Sequence, residues 1–280
     1  LCQLLLEESG VPLPDPPRRR RVRLLDGTLV KEPGRTGSLW RIHYSVRVPS
    51  LICDHLALTP TRGKGTAETL HRFPAARGDL VLADRGFCTP GSIETLHHQA
   101  AEVIVRWRST SLPLYAPQGE RLDLLARLRP LQTDQIGAWP VNVHGEKQQI
   151  AGRICALRKS EAAALKALRK IKRKAQQGGP DPKPETLEFA QYIIVFTTLP
   201  AAEFSDSKVL EWYRIRWQIE LVFKRLKTLA KLGQLPKHNA ASSRAWLYGK
   251  LHIALLGQKL IRLGRTISPW GYTLSAESKR

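Results

Sequence analysis

The stretch from Asp79 to Trp107 constrains the fold more than any other part of the chain. Asp79–Ala83 (DLVLA) is a short, almost wholly apolar run, the pattern of a strand buried in a sheet. Thr89-Pro90 then opens a helix running to about Ala100, because proline suits the first helical turn. Glu102 to Trp107 (EVIVRW) reads as a strand again. A strand, a helix and a strand in such close succession require an α/β architecture.

Upstream, Arg21 to Leu25 alternate charged and apolar residues, as a strand does, and end at Asp26-Gly27-Thr28. Trp40 to Val48 (WRIHYSVRV) is a second strand, and Leu51 to Leu58 looks like its hairpin partner. Gly63 to Gly65 form a loop, with Thr66 as the cap of a short helix. Before these, Leu1 to Pro17 read as a helix tail and a proline-rich linker, followed by a basic run at Arg18 to Arg21. Three antiparallel strands followed by strand–helix alternation is the element order of an RNase H-like α/β domain.

The composition changes after Trp107. From Ser109 to about Ile154 short strands alternate with Pro and Gly turns. Leu157 to Gln177 reads as a very basic helix, Gly178 to Pro184 as a loop and Tyr192 to Thr197 (YIIVFT) as a strand. Ser205 or Asp206 caps a long helix reaching about Leu232, and a last helix spans about Ala240 to Arg262. The expected fold is therefore α/β, an RNase H-like catalytic core interrupted by a β-rich insertion before the glutamate-bearing helix. Its divisions are a linker and N-terminal remnant (1–20), the first part of the core (21–108), the insertion with its basic helix (109–198) and the second part of the core with C-terminal helices (199–280).

Charge narrows the partners. Lys and Arg number 45 against 24 Asp and Glu, a formal charge of +21 with pI near 10.3. Such a surplus points to a polyanion, since cations that neutralise phosphates release counterions. A solvated basic surface, a ribosomal-type protein or a membrane-surface protein has the same composition. No apolar run approaches the roughly 18 residues that span a membrane, and no signal peptide is visible. The cysteines (Cys2, Cys53, Cys88, Cys155) are scattered without a CxxC pair, so neither zinc nor a disulfide framework is expected, and reduced thiols of a cytosolic protein account for them. The chain starts at Leu1 and has no Met, so an incomplete N-terminus is expected.

Three acids stand out against this basic background. Nucleases that work through paired Mg²⁺ ions need converging carboxylates, because hard cations prefer oxygen ligands. Asp26 ends the first expected strand and Asp84 the fourth, strands that are neighbours in an RNase H-like sheet. Asp26-Gly27 is equally a good turn dipeptide, and an Asp before Arg85-Gly86 ends a strand in many α/β proteins. Glu220 lies on the long helix. On a uniform helix, with Tyr213 at zero, Arg216, Glu220 and Lys227 fall at about 300°, 340° and 320°. Ile215, Ile219, Val222, Leu226 and Leu229 form a separate apolar stripe at about 160° to 240°. One face suits a core, and the other lines up a phenol, a guanidinium, a carboxylate and an ammonium. An ordinary solvated face with an Arg216–Glu220 pair fits the same spacing.

The residues Tyr213-x2-Arg216-x3-Glu220-x6-Lys227 (YRIRWQIELVFKRLK) resemble the YREK signature of bacterial DDE transposases of the insertion sequence four type. Leu25-Asp26-Gly27-Thr28 and Leu82-Ala83-Asp84-Arg85-Gly86-Phe87 resemble the family's two aspartate motifs, in the right order. The resemblance runs from about Arg21 to Lys259. It implies Asp26, Asp84 and Glu220 as catalytic metal ligands for two Mg²⁺ (or Mn²⁺) ions. It implies Tyr213, Arg216 and Lys227 as DNA contacts, with the basic pair on phosphate. The β-rich insertion has the family's usual place, whereas little of the usual helical segment before the first aspartate is present. Trp107 and Trp139 are candidates for standing in for a flipped base, although each equally suits a core. The basic helix either tracks a DNA backbone or is a solvated surface helix.

The implied activity is cleavage and strand transfer of an insertion-sequence element by metal-assisted phosphoryl transfer. Transposon ends and target DNA are the substrates, and a homodimer forms the synaptic complex. The protein is expected in the bacterial cytoplasm at the nucleoid, with no membrane partner. An RNase H-like nuclease without strand transfer, a truncated remnant that only binds DNA, and a basic structural protein of the nucleoid or ribosome are the competing readings.

Overall fold

Strand pairing in the computed structural model, which describes residues 20–33, 37–63, 65–236 and 239–265, follows the expected alternation closely. The N-terminal linker, Cys2 and most of the first basic run lie outside these residues. The elements are β1 (Arg21–Lys31), β2 (Ser38–Arg47), β3 (Ile52–Pro60), β4 (Asp79–Ala83), α1 (Pro90–His98), β5 (Glu102–Arg106), α2 (Leu124–Leu128), β6 (Ile136–His144), β7 (Gln149–Arg158), α3 (Glu161–Gln176), α4 (Pro184–Phe189), β8 (Tyr192–Thr197), α5 (Asp206–Arg214), α6 (Gln218–Thr228) and α7 (Ala240–Arg265). No described helix is long and apolar enough to cross a membrane.

The chain divides into two units, and β1 passes from one to the other after Leu25. The first unit contains the later part of β1, the β2–β3 hairpin, α6 and α7, with strand order β3-β2-β1. The hairpin is antiparallel, with Tyr44 opposite Leu56. Ile219, Val222, Phe223 and Leu226 of α6 are buried, as the apolar stripe requires. Phe223 meets Tyr44 edge to face, with ring centroids 6.1 Å apart. Leu229, assigned to that stripe, is instead 74% exposed, because α6 ends at Thr228 before it.

In the second unit the order is β1-β4-β5-β8-β7-β6. Strands β1, β4 and β5 are parallel, and β8, β7 and β6 follow antiparallel. Parallel strands in a mixed sheet, with a helical crossover between β4 and β5, fit an RNase H-like domain. Every residue of β4 is buried. At about 1.5–3 kcal/mol for each fully buried leucine or valine, this five-residue strand is a large part of the unit's core. Thr89 caps α1 by accepting the Ser92 N–H, and Pro90 occupies its first turn, as the sequence indicates.

Ion pairs fix the amino ends of the parallel strands. Asp79 accepts from Arg21 at 2.8 Å and from the Ala76 N–H at 2.9 Å, with Arg23 at 3.4 Å. Glu102 at the head of β5 is paired with Arg20. Their carboxyl ends are thereby left for a site, the usual place for ligands in α/β sheets.

The strands expected as an insertion extend this same sheet, since β8 pairs directly with β5 and β7 with β8. Gly152 in β7 is required by close approach, because a Cβ there would stand 2.5 Å from the Phe196 ring and 2.7 Å from the Thr197 carbonyl oxygen. Trp107 is committed to packing. Its indole N–H donates to the Leu112 carbonyl at 3.0 Å and its ring meets Phe189 edge to face. Trp139 also packs against the core and is half-buried.

Several expected boundaries move. β1 does not stop at Asp26, and Gly27 lies inside the strand rather than in a turn. Thr66 does not cap a helix and donates instead to the Gly63 carbonyl, while Thr69 caps the short 3₁₀ turn Leu70–Arg72. Leu157 and Arg158 belong to β7 rather than to the basic helix. The long helix is interrupted by a 3₁₀ turn at Ile215–Trp217.

Candidate active site around Asp84

Asp84 is the residue after β4, where the chain turns into the 3₁₀ segment Arg85–Phe87. It occupies the cap position of that turn, yet its side chain makes no capping bond. The half-buried carboxylate is instead met by Tyr213 from α5, whose hydroxyl donates to Asp84 Oδ1 at 3.3 Å. Ser205 caps α5 by accepting the Lys208 N–H, which sets the start of the helix carrying Tyr213.

Cations surround this carboxylate. Arg106 ends β5, the parallel neighbour of β4, and its guanidinium donates to the Tyr192 carbonyl at 3.1 Å. Burial lowers the Arg106 pKa. The charges of Arg85 and Arg216 act in the same direction, and Asp84 and Tyr213 oppose them. Burial, and then the Asp84 charge, pushes the Tyr213 phenol up to about 12, against the pull of Arg216 and Arg106. The phenol is therefore a proton donor at neutral pH. Lys159 follows β7, and burial together with Arg106 and Arg85 holds its ammonium down to about 8. One carboxylate thus faces an excess of positive charge, the environment that receives a phosphate.

The second unit therefore brings Asp84, Tyr213 and Arg216 together. The other three predicted residues belong to the first unit. Asp26 is half-buried inside β1, where its Oδ1 accepts the Gly27 N–H at 2.7 Å. Glu220 is exposed in the first turn of α6. Lys227 lies in the last turn of α6, its pKa lowered by burial and by the nearby Lys31. The 3₁₀ turn at Ile215–Trp217 winds at about 120° rather than about 100° per residue, so the uniform-helix angles do not carry through from Tyr213 to Lys227. Ile215, Gln218 and Ile219 are all buried there. Among the described residues no three His, Cys, Asp or Glu side chains are grouped closely enough to hold a metal ion.

Sequence reasoning missed Arg106, and it placed Lys159 on the basic helix rather than near Arg106 and Arg85. The one signal was an arginine closing the apolar run EVIVR. The thiols take no part. Burial raises Cys88 to about 12, Cys155 to about 12 and Cys53 to about 11, so all three stay protonated and are poor metal ligands.

A family model described as the transposase DDE domain matches residues 59–256. This chain belongs to that family. The match contains Asp84, Tyr213, Arg216, Glu220 and Lys227, and Asp26 precedes it. The chain is 32% identical over 249 residues to the transposase for insertion sequence element IS421 of Escherichia coli, covering 87% of this chain and 66% of that relative. It is 22% identical over 204 residues to the transposase for IS1151 of Clostridium perfringens, covering 68% of this chain and 43% of the relative. It is 24% identical over 189 residues to the transposase for IS231F of Bacillus thuringiensis subsp. israelensis. This member of the DDE family thus spans 66% of the length of its IS421 relative, just under two thirds.

Proposed function

We propose that this chain is the catalytic part of an insertion-sequence transposase, of the insertion sequence four type with its YREK signature. It cleaves DNA at the element's ends and joins them to a target. The observation that carries this reading is Asp84, a carboxylate unused by its own turn at the carboxyl end of a central strand, set among Arg85, Arg106, Arg216 and a protonated Tyr213. A hard anionic ligand beside an excess of cations suits a phosphodiester with a divalent metal ion.

The metal ligands in this proposal are Asp26, Asp84 and Glu220, holding two Mg²⁺ or Mn²⁺ ions. The donor chemistry fits, because all three are oxygen ligands and the described thiols remain protonated. Bound divalent ions supply activation of the attacking water or hydroxyl and stabilisation of the leaving oxygen. Tyr213 orients Asp84 through its hydroxyl and contacts the DNA end. Arg216 brackets a phosphate and Lys227 adds a point charge. Water opens the phosphodiester at the element's end, and the freed 3′-hydroxyl then attacks target DNA or the opposite strand. Residues 109–198 take the place of the family's insertion. A homodimer pairs two ends in a synaptic complex, at the nucleoid in the bacterial cytoplasm.

The test uses a duplex that ends in the element's 3′-hydroxyl, offered with a target plasmid and Mg²⁺ or Mn²⁺. The expected result is a joined product that EDTA prevents. Hydrolysis of an uncut end with no joined product would instead make this a nuclease, and binding without either reaction would make it a remnant.

A further inference from the structure

Helix α3 (Glu161–Gln176) has no part in the site around Asp84, yet it carries the densest run of positive charge in the described chain. None of its residues is fully buried. Ala164, Ala167, Leu168, Ile171 and Ala175 are half-covered, and every other residue of the helix is exposed. Placed at about 100° per residue, those five fall in an arc of about 100°. Lys166, Arg169, Lys170 and Arg173 occupy an arc of about 100° directly opposite, flanked by Lys172 and Lys174. Glu161 in the first turn is the helix's one acid, so no carboxylate within α3 neutralises the basic face.

The position of the helix adds to its charge. Lys159 lies two residues before α3, and its ammonium feels Arg106 and Arg85, both of which act on the surroundings of Asp84. Positive charge therefore continues from the Asp84 centre to the amino end of α3. With 16 residues at about 1.5 Å each, the helix is about 24 Å long, the length of about seven base pairs at about 3.4 Å.

We infer that the outward face of α3 binds the phosphate backbone of duplex DNA over about two-thirds of a turn without reading its sequence. Basic side chains along one face of a helix of this length meet several phosphates of a duplex. Contacts from Lys and Arg to phosphate oxygens carry no sequence information of their own. A membrane surface is the poorer partner. Basic helices bind membranes by inserting an apolar face, and here that face is the Ala/Leu/Ile line already half-covered by protein. It carries no aromatic residue, and Leu165, at 53% exposed, is the one large apolar side chain that α3 leaves open. The inference rests on the proposed transposase reading only for the DNA being continuous with the cleaved end.

The test measures binding of the full chain to random-sequence duplex DNA across a salt series. The wild type is compared with a Lys166→Gln, Arg169→Gln, Arg173→Gln triple variant, and with a control in which Lys166 and Lys170 become Arg. If each of the three residues neutralises one phosphate, the triple variant should reduce the slope of log affinity against log salt by about 2.7. The reduction should be equal for two unrelated sequences, and the Arg control should keep the wild-type slope. An unchanged slope in a variant with wild-type circular dichroism would overturn the inference. So would a loss confined to one sequence, or a loss of binding to phosphatidylserine vesicles with DNA binding intact. No cleavage is read, so the measurement can be made equally on an Asp84→Asn background. A slope change, with no joined product from the wild type in the separate strand-transfer assay, would uphold the α3 surface while sinking the transposase reading. The converse result would do the opposite.

Discussion

Replacing Arg153 by Met should loosen the helix that brings Tyr213 to Asp84. Arg153 lies in β7 opposite Thr197 and is 8% exposed. Its guanidinium donates to the Asp206 carboxylate in the first turn of α5 and to the Phe204 carbonyl just before that helix. Met retains the packing of the stem, so the loss is confined to these polar contacts. The Asp206 side chain is 40% exposed and stays hydrated once abandoned, which limits its share to about 1 kcal/mol. Phe204 is buried, and losing a charged donor to its carbonyl costs about 1–1.5 kcal/mol more. The total of about 2 kcal/mol corresponds to a Tm lower by about 4–8 °C in a domain of about 150–250 residues. Scanning calorimetry reads the shift, and a double-mutant cycle with Asp206→Asn should return a coupling of about 1 kcal/mol. Strict additivity in that cycle, or a Tm within about 1 °C of wild type, would refute the clamp.

Two further predictions concern the centre itself. Tyr213→Phe removes the hydroxyl that donates to Asp84, and the partner of a metal-ligating carboxylate is worth about 10- to 100-fold in apparent metal affinity. Mn²⁺ titration of DNA cleavage should therefore shift to higher metal concentration, and an unshifted curve would count against the orienting role. Lys159→Met tests the local excess of charge. The folded Lys159 pKa is about 8 against an ordinary 10.5, so between these values the unfolded chain binds more protons and stability rises with pH. The penalty is fully present below about 8 and is gone above about 10.5. Denaturant midpoints should show Lys159→Met more stable than wild type at neutral pH, with the gain disappearing through that window. A gain independent of pH would contradict the assigned cause.

The sequence is most readable where local pattern and tertiary demand agree. Asp79–Ala83 and Tyr192–Thr197 are strands over the full expected ranges, because an apolar run bounded by polar residues suits a strand covered on both faces. Asp26-Gly27 shows the opposite case. Its turn propensity yields to strand formation, and β1 continues to Lys31. The break at Ile215–Trp217 carries no Pro or Gly to announce it. Of the site, Asp84 and the Tyr213–Arg216 pair were visible as residue types at recognisable spacing. The Tyr213–Asp84 contact joins positions 129 residues apart, and Arg106 and Lys159 matter only through neighbours that pairing brings near. Periodicity is local and reports no such neighbours.

The central claim is that Asp84 acts on DNA through divalent metal. Cleavage of a duplex carrying the element's end should be compared between wild type and Asp84→Asn, with DNA affinity measured in parallel. Mg²⁺- or Mn²⁺-dependent cleavage by the wild type, its loss in the variant, and DNA affinity within a few-fold of wild type are expected. Undiminished cleavage by Asp84→Asn would contradict it.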